Sequence, residues 1–233
     1  MKDTQKALPE GLANILDDVS LAMFDFDGTL AYTQGKNLSV YRTVLAEVGV
    51  TGITEEEYVA RIGHPIEDHI RHIAECHGMP MTDAEVARAS RRFMKIADAY
   101  NAEHIPPMYR YVPVALSHLS SATCLVVTAN KRDHVDRVLG AWGIRNRFEE
   151  IVMTDGTDGF RDKREAYEAM LGTLAGKSEG IRAVVFEDSE QAISFARGLG
   201  IVTVGIVHPR SGTHSADQAD FRIDVTGECC GNR

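Results

Sequence analysis

Leu21-Ala22-Met23-Phe24-Asp25-Phe26-Asp27-Gly28-Thr29-Leu30 decides the reading of this chain, because an apolar run delivers two carboxylates straight into a Gly-Thr turn. A continuous apolar segment closed by Gly reads as a buried parallel strand, and ligands in such sheets bind beyond the carboxyl ends of the strands. Asp25 and Asp27 are expected at that end. On an extended chain residues two apart project to the same side, so the two acids are expected to crowd into one site. Carboxylates so placed repel unless a cation lies between them or one holds a proton, and both arrangements serve catalysis.

Outward from this strand, the pattern turns helical from about Leu38 to Ala102, with apolar stripes at Val40, Val44, Leu45 and Val48 and at Phe93, Met94, Ile96, Ala97 and Tyr100. Thr54-Glu55-Glu56-Glu57 and Thr82-Asp83-Ala84-Glu85 read as capping boxes that open helices, and Ile105-Pro106-Pro107 closes the block. Strands are then expected at 123–128, 150–154, 181–187, 201–207 and 221–225, with helices at 133–141, 163–174 and 190–199 between them. Such alternation predicts an α/β fold, a doubly wound parallel, Rossmann-like sheet with an inserted small helical domain. Residues 1–32 and 107–233 are expected to form the sheet domain and 33–106 the insert.

The 233 residues, 44% of them hydrophobic, suffice for a full core. With 34 acidic against 25 basic residues the net charge is -9, which argues against a nucleic-acid surface but allows one small anionic ligand in a locally cationic pocket. Cys76, Cys124, Cys229 and Cys230 show neither metal-ligand spacing nor a disulfide framework. No signal-peptide core or bilayer-length apolar run occurs, so a soluble cytoplasmic setting is expected, with no membrane partner and with monomer and dimer both open.

Two further strand ends and one helix start carry chemistry. Leu125-Val126-Val127 runs into Thr128-Ala129-Asn130-Lys131, a turn whose hydroxyl and backbone N–H groups make an anion cradle at a helix start. Val184-Val185-Phe186 runs into Glu187-Asp188-Ser189, a second acidic pair. Lys163 opens a helix after the loop Asp155-Gly156-Thr157-Asp158-Gly159. Singly, these read as a helix cap, a turn and a surface lysine; jointly, at one edge of one sheet, they read as a reaction centre.

In that order and on those elements, Asp25-Phe26-Asp27-Gly28-Thr29, Thr128, Lys163 and Glu187-Asp188 resemble the four signature motifs of the haloacid dehalogenase superfamily of phosphohydrolases. The helical block is similar to the small four-helix cap of the branch holding phosphoglycolate phosphatase and β-phosphoglucomutase. The resemblance implies that Asp25 is the nucleophile, forming an aspartyl-phosphate, and that Asp27 is general acid and then general base. It implies one Mg2+ on the Asp25 carboxylate, the Asp27 backbone carbonyl and Asp188, with Glu187 beside the metal rather than on it. Thr128, the Ala129 N–H, Asn130 and Lys163 would hold the phosphoryl group of a small phosphorylated metabolite. Arg61 and His64, in Arg61-Ile62-Gly63-His64-Pro65, resemble the cap loop that meets substrate in this branch.

Two departures from the branch stand out: Tyr32 and Asn37 replace an Asp and a His common after the first motif, and Arg164 follows Lys163 where Pro is usual. A phosphomutase is the alternative, weakened by Ile66 where the mutase cap loop carries a basic residue; dehalogenases lack the second Asp that Asp27 supplies. A phospho-accepting receiver module would lack the Asp-x-Asp-Gly-Thr turn and the insert. Gly172-Thr173-Leu174-Ala175-Gly176-Lys177-Ser178 is one residue short of a P-loop and follows a helix. His64, His69, His72, Cys76 and His77 crowd one region, for which an exposed polar helix face is expected in preference to a zinc site.

Overall fold

The structure, a computed structural model, describes residues 8–61, 64–175, 182–208, 216–225 and 229–230. In chain order its elements are α1 (Leu12–Asp17), β1 (Leu21–Phe24), α2 (Gln34–Ala46), α3 (Glu55–Val59), α4 (Ile66–Cys76), α5 (Asp83–Glu103), β2 (Met108–Tyr109) and α6 (Tyr111–His118). There follow β3 (Thr123–Thr128), α7 (Arg132–Ala141), β4 (Glu150–Met153), α8 (Lys163–Ala175), β5 (Ala183–Glu187), α9 (Glu190–Gly198), β6 (Val202–Val207), β7 (Phe221–Asp224) and β8 (Cys229–Cys230).

Six strands form one parallel sheet in the order β4-β3-β1-β5-β6-β7. The chain therefore winds outward from β1 on one side and then, from β5, on the other, so β1 is the switch point where such sheets open a crevice. All four β1 residues are fully buried, which is why the run is continuously apolar rather than alternating. Leu21 and Met23 join Leu125, Val127, Val152 and Val185 in one core cluster, while Phe24 stacks on Phe186 with ring centroids 4.4 Å apart. Phe24 is in register with Val126 and Phe186, which sets Asp25 level with Glu187 at the carboxyl edge.

The chain divides into two compact units, with Thr33–Ile105 in one and, in the other, the described residues up to Tyr32 and from Pro106 onward. The first unit holds α2 to α5 around Val44, Leu45, Ile70, Ile73, Val86 and Phe93. Each such side chain contributes about 1.5–3 kcal/mol by leaving water. Both capping boxes form: Thr54 N donates to Glu57 Oε2 at 2.8 Å and Thr82 N to Glu85 Oε2 at 2.8 Å, each answered by an N–H to the Thr hydroxyl.

Several expectations change. Helix α6 fills a stretch without a sequence-predicted element and carries Pro113 in its first turn, where a missing N–H costs nothing. The helical block begins at Gln34, four residues before the expected Leu38, so that Asn37 lies within α2. Met94 and Tyr100, assigned to the apolar stripe of α5, are exposed. The anticipated exposed face of α4 is overturned at His69, which is only 3% exposed inside the helical unit. Of the near-P-loop, Gly176, Lys177 and Ser178 lie outside the described residues, as do Ile62 and Gly63 of the cap loop. Among the described residues no helix is long and apolar enough to cross a membrane.

Candidate active site

Asp25 follows directly on β1 and is 6% exposed. Lys163, at the first position of α8, reaches back to donate to Asp25 Oδ1 at 2.7 Å and also to Glu187 Oε1. Tyr167, one turn further along α8, donates to the same Glu187 oxygen at 2.9 Å. Asp188 completes the group, and ligand oxygens of Asp25, Glu187 and Asp188 lie within 4.8 Å of one another. Three buried carboxylates thus lie together, and the ammonium contacts two of them. Burial pushes the Asp25 carboxyl well above the usual carboxylate range, with Lys163 opposing and Glu187 and Asp188 adding to the rise; burial also raises Glu187. At Lys163 burial disfavours the charge, but Asp25 and Glu187 outweigh it and the ammonium is held above its ordinary range.

The residues fit a hard divalent cation. Among the described residues this is the one group of His, Cys, Asp and Glu side chains close enough to share an ion, and every donor in it is a carboxylate oxygen. No backbone N–H of the described residues donates to the Asp27 carbonyl, which leaves that oxygen available as well. Gly28 shows why Asp188 can approach. Its φ is +80°, and a Cβ built there would stand 2.0 Å from Asp188 Oδ2, so only glycine permits both the turn and the acid's position. Tyr111 OH donates to the Thr29 carbonyl at 2.8 Å and fixes the far side of the same turn.

Asp27 departs from the pairing expected of it. The chain leaves β geometry after Phe24, with Gly28 N donating to the Ala31 carbonyl and Leu30 N and Ala31 N both donating to that of Phe26. The alternation of a strand therefore no longer governs positions 25 and 27, and the Asp27 carboxylate lies outside the three-acid group. Its Oδ2 instead accepts from Asn130 Nδ2 at 2.7 Å. Thr128, at the end of β3 and 1% exposed, accepts Asn130 N on its hydroxyl at 3.0 Å. Ala129 is exposed, and its N–H donates to no backbone acceptor among the described residues. The structure so brings Asp25, Lys163, Glu187 and Asp188 into one contact group, with Asp27, Thr128 and Asn130 in a second on the same edge.

Arg61 and His64 belong to the helical unit, where Arg61 Nη2 lies 3.3 Å from His72 Nδ1 and His64 is exposed. Tyr32, which stands where the branch has an acid, packs its ring edge-on against Tyr109 at 6.0 Å. Tyr109 leads to a residue that the reading above overlooked, since its OH lies 3.1 Å from Nδ1 of His208, whose Nε2 is 3.5 Å from Asp188 Oδ2. His208 directly follows β6 and is 5% exposed. The available signal was the rule that singled out Asp25: the first polar residue after a buried parallel strand faces the crevice.

Comparisons with known proteins agree with this geometry. The model of the family described as haloacid dehalogenase-like hydrolase matches residues 22–206. A validoxylamine A 7'-phosphate phosphatase of Streptomyces hygroscopicus subsp. limoneus is 27% identical over 208 residues, 84% of this chain and 88% of the relative. Among solved structures, a predicted phosphoglycolate phosphatase from Haemophilus somnus aligns with a TM-score of 0.70 at 20% identity, covering 89% of this chain and 94% of its own. A β-phosphoglucomutase from Clostridium difficile aligns at 0.66 and 16% identity, covering 89% and 91%. With a family match that spans most of the chain and a parallel sheet whose edge gathers the acids and lysine of the motifs, the protein belongs to the haloacid dehalogenase-like hydrolases.

Proposed function

We propose that the protein is a Mg2+-dependent phosphatase that hydrolyses a small phosphomonoester through an aspartyl-phosphate on Asp25. The observation that carries this reading is the state of Asp25 itself. One oxygen is fixed by Lys163 at 2.7 Å, while Oδ2 has no hydrogen-bond partner among the described residues and is left to attack. In the first step a bond forms from Asp25 to phosphorus as the bond to the leaving oxygen breaks, and Asp27 gives that oxygen its proton. In the second, Asp27 takes a proton from water, which attacks phosphorus, releases inorganic phosphate and restores Asp25. Lys163, the Thr128 hydroxyl and the Ala129 N–H hold the phosphoryl oxygens and offset their charge as it redistributes. Asn130 borders the same site.

Mg2+ would be held by the Asp25 carboxylate, the Asp27 carbonyl and Asp188, and when bound it neutralises charge on the phosphoryl group and on the crowded acids. Glu187 is better suited to holding Lys163, since its Oε1 already accepts from both Lys163 and Tyr167. Arg61 and His64 would select the leaving group. Similarity to a phosphatase named for a phosphate ester supports hydrolysis of a small phosphomonoester, whereas the likeness to a mutase is one of fold. The test is turnover of a panel of phosphorylated metabolites with acid quenching. Activity should vanish in EDTA and return with Mg2+, and radiolabelled phosphate should be trapped on the Asp25 peptide. Full activity in excess chelator, or label on another peptide, rejects the reading.

A further inference from the structure

We infer that Asn130 is a positioning residue for Asp27, holding the general acid and base of the proposed reaction at a fixed angle rather than gripping the phosphate. Its side chain is engaged at both ends. Nδ2 donates to Asp27 Oδ2 at 2.7 Å, and Oδ1 accepts from the Lys131 backbone N–H at 2.7 Å. The second bond fixes the orientation of the amide, because a flipped Asn130 would set an oxygen against the Asp27 carboxylate and turn its NH2 toward the Lys131 N–H. The base of the side chain is anchored too, with Asn130 N donating to Thr128 Oγ1 at 3.0 Å. Thr128 is itself fixed, as its carbonyl accepts Thr154 N from the end of β4 at 2.9 Å.

The consequence for Asp27 is specific. It lies on a turn beyond the strand and is only partly buried, so the sheet does not set its rotamer. Among the described residues Asn130 is its one side-chain hydrogen-bond partner, and the bond takes Oδ2 while leaving Oδ1 for proton exchange. A proton donor must stand within hydrogen-bond reach of the leaving oxygen at the moment the bond breaks, and freezing the carboxyl rotor maintains that alignment. A donor committed to Asp27 is correspondingly unavailable to a phosphoryl oxygen.

This inference rests on the acid–base assignment of Asp27, and its test separates the two. We expect Asn130→Ala to lower kcat/KM about 10–100-fold for an alkyl phosphate, whose leaving group needs a proton, and less than about threefold for p-nitrophenyl phosphate, which needs little acid assistance. In an Asp27→Asn background the same change should have no further effect, since the group it positions is gone. Should the Ala variant fold poorly, Asn130→Asp keeps the size and replaces the donor by a second carboxylate, and the same selective loss is expected. If Asp27→Asn alone is selective for the alkyl ester but Asn130→Ala slows both esters equally and still does so in the Asp27→Asn background, Asn130 binds phosphate and the inference falls while the acid assignment stands. If Asp27→Asn itself slows both esters equally, the acid assignment falls and the inference with it.

Discussion

The edge of the sheet and the interior of the helical unit both bury polar side chains, and they do so on opposite terms. At the edge the buried groups are ionisable: Asp25, Glu187 and Asp188 lie together, and Lys163 contacts the first two, whose carboxyls burial raises. In the helical unit they are neutral. His69 packs 4.4 Å from the Tyr41 ring and is stacked on Tyr58 at 5.2 Å, and burial, with the nearby His64, His72 and Arg61 charges, lowers its pKa to about 4. Ser90 in the same interior donates to Glu67 at 2.6 Å. Neutral polar groups inside a small helical unit are packing that the fold tolerates, whereas carboxylates crowded beside one ammonium are costly to bury and mark a candidate site.

The largest effect that would sharpen this contrast is on chemistry. Asp25→Asn should cut turnover by about four orders of magnitude or more while the melting temperature holds or rises, because the change removes the proposed nucleophile and relieves a buried repulsion. Comparable turnover in a verified Asn preparation would break the contrast at its centre. Next comes Lys163→Met, which leaves the buried acids without their ammonium; a loss of about 3–5 kcal/mol in stability is expected by denaturant unfolding, recovered in part by added Mg2+. A melting curve indifferent to both changes would mean that the cluster is well solvated.

The smallest effect belongs to the helical unit and to pH. His69 has a pKa depressed from 6.5 to about 4, so between those values the unfolded chain binds a proton that the folded one does not. Stability is therefore full above pH 6.5, falls as the pH drops through this window and changes no further below it. The loss between pH 7 and pH 5 should be about 2 kcal/mol, read from urea unfolding, and His69→Phe should remove that part of the slope. An unchanged slope in the Phe variant would show that His69 is not held neutral.

These regions also differ in how readable they were from sequence. The β3 run at Thr123–Thr128, the first turn of α8 at Lys163 and both capping boxes announce themselves through local pattern, because continuous apolarity and three-residue cap spacing are properties of contiguous chain. The Asn130–Asp27 bond joins residues 103 apart, and the Tyr109–His208 contact joins residues 99 apart, so no local signal carries either. His69 is intermediate. It lies three residues after Ile66 and four before Ile73 on the inward stripe of α4, a position whose helical phase outweighs the polarity of the side chain. Asp27 departs for a physical reason, since strand alternation does not hold three residues past Phe24, where β1 ends.

Where the insert leaves the sheet unit and where it returns, the chain crosses as a narrow ribbon: Tyr32 N donates to the Pro107 carbonyl at 2.9 Å, Tyr109 N to that of Leu30 at 3.1 Å, and Ala31 pairs antiparallel with Met108. Exit and entry are thus pinned side by side, and whatever is spliced between them closes its loop on a frame already paid for by the sheet unit. Lengthening or exchanging that segment need not disturb the anchoring residues, so a lineage can trade one insert for another while the carboxylates at the sheet edge stay in place. The ribbon lets the insert and the sheet unit vary independently within one polypeptide.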